Sequence, residues 1–304
     1  MNTWNRLSTA LSCAIVLVSS APEAMATTYS AAGVDAAAIQ AVVDNFRADL
    51  GANNGVGPCN GACVPGHGRR EINWDAVPDS FASGGTNPFP GDFFNQASGA
   101  PAGRVRGAGF TTTGTFEVSA NSSNPGAVAT LFGNHSSKNA DDFAAFSQQR
   151  IFGLIGTNQM DVHFSPPGAP AAAGLVRGFG VVFTDVELDA STRLDFFSAT
   201  DQLLESVAAP AFGAGTETFD SFSFVGITFL DAVVARVHFT NGGFDLNLIQ
   251  FGANDAVAMD DFIFGEPSPV PLPTPLVLFV STVLPLIGAR RRRGRMVISA
   301  PCEK

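Results

Sequence analysis

Two acidic stretches carry the residues best suited to chemistry. In FTDVELD, residues 183–189, strict strand alternation puts Asp185 and Glu187 on one face, together with Phe183 and Asp189. MDDF, residues 259–262, adds Asp260 and Asp261, which a regular strand points to opposite faces. A carboxylate turned into a core is costly unless it is paired or bound to a metal. The first chemistry this allows is a structural Ca²⁺ site, with Asp185, Glu187, Asp260 and Asp261 as hard oxygen ligands from separate strands. Its competitor is a solvated edge, or an aspartate paired with Arg177 or Arg236. The second chemistry is glycan hydrolysis, which needs two carboxyl groups across a cleft, about 5 Å or ~6.5–9.5 Å apart. No HExxH or GxSxG motif is present, and His67, His135, His163 and His238 are dispersed along the chain. His238, in ARVHFT, reads as a residue of a strand surface or core edge rather than a base.

Two further groups are chemically conspicuous. In GRREINWD, Trp74 could stack on a ligand that the neighbouring polar groups orient. Equally, it could close one end of the fold beside an Arg70–Asp75 ion pair. Cys59 and Cys63, in GPCNGACVPG, are close enough for a small-loop disulfide, with Gly61 supplying backbone freedom. A zinc site using His67 as third ligand is the alternative, although no convincing fourth ligand follows.

The elements that must position these groups are mostly strands. VDAAAIQAVVDNFRADLG, residues 34–51, has a helical period, with Ile39, Val42, Val43, Phe46 and Leu50 on one stripe and Gly51 as the stop. Gly- and Pro-rich irregular chain follows to about Gly103. From Arg104 onward, short segments rich in Val, Ile, Phe and Thr alternate with turns. TRLDFFSATDQLLESVAA, residues 192–209, is the sharpest hairpin candidate, turning at Ala199–Gln202. The fold expected is mainly β: an antiparallel β-sandwich or jelly roll with one short N-terminal helix. The 27 Phe against one Tyr would supply its core. A sugar-stacking platform would require exposed rings.

Charge and the chain ends bound the function classes. Residues 27–268 hold 10 basic and 25 acidic side chains, a balance of −15. So acidic a body repels phosphate backbones, which argues against nucleic-acid binding. The first 26 residues have one Arg, an apolar run and Ala24-Met25-Ala26, the pattern of a signal peptide cleaved after Ala26. The far end reads VPLPTPLVLFVSTVLPLIGARRRRG, residues 270–294. At helical rise, residues 271–289 reach about 28 Å, enough for a thin bilayer. The following arginines would stay cytoplasmic and the acidic body outside.

This ordered tail resembles the sorting signal of PEP-CTERM proteins, in its VPLPA-type variant. Val270, Pro271, Leu272, Pro273, Thr274 and Pro275 match the recognition segment, residues 276–289 the apolar segment, and Arg290, Arg291, Arg292 and Arg293 the basic cluster. The resemblance implies an exosortase-like membrane transpeptidase as partner, removal of the tail, and delivery to the cell surface or extracellular matrix of an exopolysaccharide-producing Gram-negative bacterium. A permanent anchor fits the same charge pattern. GRREINWDAVPD, DFFN, RGFGVVFTDVE, FVGITFL and MDDFIFGEP are similar to stretches of secreted bacterial bodies that carry such tails, and imply no catalytic residues.

The expected organisation is a signal peptide at 1–26, a helix and irregular segment packed on the main domain at 27–103, a sandwich at 104–268 and a sorting tail at 269–304. The expected role is interaction or structural support at the surface. Extracellular carbohydrate binding and paired-carboxylate glycan hydrolysis are the alternatives.

Overall fold

The computed structural model describes residues 25–59, 66–82, 88–97, 104–120, 130–213, 220–247 and 255–271. Its strands are β1 (Ala26–Gly33), β2 (Arg69–Ile72), β3 (Ala108–Thr111), β4 (Thr115–Val118), β5 (Phe152–Ile155), β6 (Gln159–Phe164) and β7 (Gly174–Leu175), then β8 (Gly178–Thr184), β9 (Arg193–Phe197), β10 (Leu203–Ala208), β11 (Phe222–Phe229), β12 (Arg236–Thr240), β13 (Ala258–Gly265) and β14 (Ser268–Pro269). Two α-helices accompany them, α1 (Ala36–Leu50) and the single turn α2 (Asn139–Asp142).

The strands form an antiparallel sandwich. One sheet runs β1-β11-β8-β13-β5-β4, with β2 also pairing β13, and the other runs β10-β9-β12-β6-β3. β14 and β7 form a separate short antiparallel pair. Between the sheets lies a Phe-rich core that includes Phe110, Phe152, Phe179, Phe239 and Phe262.

The two sheets differ in what covers their outer faces. β8, β11 and β13 are buried at every position. Their inward residues meet the core, and their outward residues Val182, Phe224 and Ile263 meet α1. Hence β8 and β11 read as mostly apolar segments rather than alternating ones, and β13 does so apart from Asp260 and Asp261. The five-stranded sheet alternates instead: β6, β9 and β12 bury every second residue and leave the others at least partly exposed. Its polar face is the uncovered side of the sandwich.

Helix α1 follows its stripe. Ile39, Val43, Phe46 and Leu50 are buried, Asp35 accepts from the Ala38 N–H at 2.9 Å as N-cap, and the Gly51 N–H donates to Arg47 O. Phe46 seats the helix by entering a gap where Gly180 and Gly226 face each other across β8 and β11. Tyr29 and Phe224 present their rings edge-on to it at 5.4 and 5.3 Å.

β1 and β2 come from the segment before Gly103, where sequence patterning shows only a helix and irregular chain. β1 is a mixed, partly exposed edge strand, and β2 has only four residues. Both acquire strand structure by pairing, β1 with β11 and β2 with β13.

Candidate functional site

The four acids proposed as Ca²⁺ ligands do not gather into one set. Asp185 leaves β8 with φ 68°, a left-handed conformation, so the alternation expected to align it with Glu187 fails there. The Asp185 N–H donates to Ser221 O. The Glu187 and Leu188 N–H groups both donate to the carboxylate of Asp255, at 3.3 Å each. Asp255 is fully buried and fixes this turn, a role its sequence context did not signal. Asp185 and Glu187 are only 1% and 8% exposed, so a polysaccharide cannot reach them as hydrolytic acids without the fold opening.

Asp260 and Asp261 lie where β13 shifts register against β8, between Met259 and Phe262. Both are buried. Asp260 accepts from the Phe146 N–H at 2.6 Å and from the Ser147 N–H and Oγ at 3.1 Å. Asp261 accepts from Arg47 Nη2 at 2.8 Å, rather than from Arg177 or Arg236. Burial, reinforced by the neighbouring Asp261 charge, pushes the Asp260 carboxyl well above the usual range. Burial also pushes Asp261 up. Among the described residues, no three His, Cys, Asp or Glu side chains converge as a metal-binding group.

Trp74 is no ligand platform. It is 1% exposed, stacks on Phe152 with ring centroids 4.1 Å apart, and donates its indole N–H to Asp260 O at 2.8 Å. The two conspicuous motifs, INWD and MDDF, therefore do meet, but as a buried structural joint. Arg70 does not pair with Asp75. It forms a buried two-pronged pair with Glu266, at 2.6 and 2.8 Å. Cys59 adjoins that pair, its Sγ 3.4 Å from Arg70 Nη2. Cys63, the other half of the expected disulfide, lies outside the described residues, as do residues 1–24 of the expected signal peptide 1–26 and residues 272–304 of the expected sorting tail. Of the sorting motif, Val270 is held through its N–H to Ala173 O and Pro271 is exposed. No helix among the described residues is long and apolar enough to cross a membrane.

The open face of the five-stranded sheet brings together residues that sequence reasoning left scattered. Register places Asp195, His238, Asp161 and Thr111 in one row across β9, β12, β6 and β3. Phe197, Arg236 and His163 form the next row. Arg236 Nη1 donates to Asp161 Oδ1 at 2.6 Å, its Nη2 pairs with Asp201, and its guanidinium carbon lies 3.9 Å from the Phe197 ring centroid. His238 Nδ1 is 3.1 Å from the same Asp161 Oδ1. Arg193 donates to Asp195 at 3.0 and 3.2 Å. His163 Nε2 is 3.1 Å from Thr111 Oγ1, and the partial desolvation of its ring pushes the imidazole pKa down, which favours the neutral form.

Two clefts lie end to end along β6 and β12. The larger, about 480 Å³, is lined by Asn95, His163, Ser165, Ser198, Asp201 and Arg236 among others, and reaches Val270. The smaller, about 270 Å³, is lined by Thr111, Thr112, Thr113, Gln159, Asp161 and His238 with Met160. The smaller cleft is mostly hydrogen-bonding side chains, whereas the larger sets its polar groups against an apolar wall that includes Pro170, Ala171, Ala172 and Ala173. The alternation in QMDVHF, RLDFF and RVHFT already puts these polar residues on one side of each strand. What the sequence does not show is that β9, β12 and β6 are neighbours.

No family model matches the chain, and no curated protein sequence matches it.

Proposed function

We propose that this chain is an exported cell-surface or matrix protein that acts by binding, through the open face of its five-stranded sheet. The observation that carries the binding role is the contrast between the sheets. One is covered by a helix, whereas the other presents a polar, internally paired surface flanked by two clefts. Export rests on the signal-like first 26 residues and the ordered tail. Cleavage after Ala26 would leave residues 27–33 of β1 to pair with β11. An exosortase-like transpeptidase would act on the tail that follows β14. Extracellular polysaccharide is the partner that best fits such a surface in such a compartment.

The test uses the mature protein purified from an exporting host and sedimented with washed matrix from the producing cells. A variant combining Thr111→Ala, His163→Ala and His238→Ala keeps the core intact. Each lost hydrogen bond is worth about 1 kcal/mol, so the variant should bind at least about tenfold more weakly. Equal sedimentation of the two proteins would overturn the binding-face assignment. For the tail, the mass of the mature protein should correspond to a chain ending before Arg290; retained arginines in the main surface pool would contradict processing.

A further inference from the structure

We infer that the two clefts form one groove that takes a neutral, extended polysaccharide, recognised through its hydroxyl groups; this deepens the binding role proposed above and rests on it.

Charge selects the ligand class. Both arginines of the face are already neutralised, Arg236 by Asp161 and Asp201, and Arg193 by Asp195. A uronate or sulfated chain would find no unmatched guanidinium among them. It would also approach a body whose balance is −15. A neutral glycan meets neither obstacle.

Hydrogen-bonding capacity points the same way. Thr111, Thr113, Gln159, Asn95, Ser198 and the neutral His163 carry groups that can both donate and accept, as sugar hydroxyls do. Both bonds to Asp161 fall on Oδ1, which leaves Oδ2 as an acceptor for a ligand hydroxyl.

Length follows from the lack of a stacking ring. Phe197 lies under the Arg236 guanidinium, so sugar rings would be held by polar contacts and by small apolar side chains such as Pro170 and Ala171 rather than by stacking on it. Such contacts are individually weak and need to be summed over several units. From Ala235 to Thr240 the strand direction covers about 17 Å at ~3.4 Å per residue, enough for several rings to engage both clefts. A monosaccharide would occupy one cleft only.

The experiment is calorimetric titration of the mature protein with neutral gluco-, manno- and galacto-configured hexasaccharides, the matching disaccharides, and a hexagalacturonate. At least one neutral hexasaccharide should bind about tenfold or more tightly than its disaccharide, and more tightly than the uronate. Asn95→Ala and Gln159→Ala, one from each cleft, should each weaken that hexasaccharide about two- to tenfold. Their melting temperatures report whether the fold is kept. Equal or tighter uronate binding, or disaccharide binding as tight as hexasaccharide binding, would overturn the inference. If no sugar binds while the mature protein still sediments with matrix in a face-dependent way, the neutral-glycan inference fails and the binding face stands. If matrix binding is also absent, the binding face itself fails.

Discussion

Asp260 sits among three donors, yet burial and the adjacent Asp261 still raise its carboxyl well above the ordinary value of about 3.9. A carboxyl raised on folding binds protons more tightly in the folded state, so its contribution is fullest below the unfolded pKa. That contribution is lost as pH rises from about 4 through the folded pKa. Asp260→Asn removes the titrating group while its amide oxygen can still accept from the loop N–H groups of Phe146 and Ser147. The melting temperature of the variant relative to the native protein should therefore climb as pH is raised from about 4 toward neutrality. A difference that stays constant over that range, measured by thermal unfolding at each pH, would show that Asp260 is not the group responsible. MDDF was recognisable as a place where a carboxylate needs a partner. That the partner is Arg47, 214 residues away in sequence, depends on α1 lying over β13.

At the scale of elements, the docking of α1 depends on the absence of two side chains. A Cβ placed on Gly226 would meet the Phe46 ring at 2.9 Å and Gly180 Cα at 3.0 Å, both closer than ordinary packing. Gly226→Ala should destabilise the protein by about 1–3 kcal/mol, as overpacking does. Combining it with Phe46→Leu should recover part of that loss relative to the sum of the single changes. Urea unfolding of the four proteins checks this, and strictly additive losses would sink the proposed contact. The helix was legible because its apolar stripe, its N-cap and Gly51 agree. β8, β11 and β13 were legible as short strands rich in Val, Ile, Phe and Thr. β1 and β2 were not, because strands this short or this mixed are defined by their neighbours. The turn at Asp185 was missed for a related reason: alternation cannot show where a strand ends in a left-handed residue. The candidate face was half legible, since every polar residue on β6, β9 and β12 sits in phase, but strand order is a property of the fold.

For the whole molecule, the division of labour follows from which surfaces are covered. The seven-stranded sheet spends both faces on packing, against the core and against α1. The five-stranded sheet spends one, and keeps a charge-matched polar face on an otherwise strongly acidic body. Val270, the first residue of the proposed sorting motif, lines the larger cleft. A protein exported as proposed above would be retained at the surface by many weak contacts along that face. Hydrogen–deuterium exchange on the mature protein, with and without saturating matrix polysaccharide, tests this directly. Exchange should slow in the segments bordering the clefts, residues 111–114, 167–174 and 198–202, with α1 and β1 unchanged. Bound polysaccharide that leaves those loops unchanged, or that protects α1 and β1 instead, would contradict it.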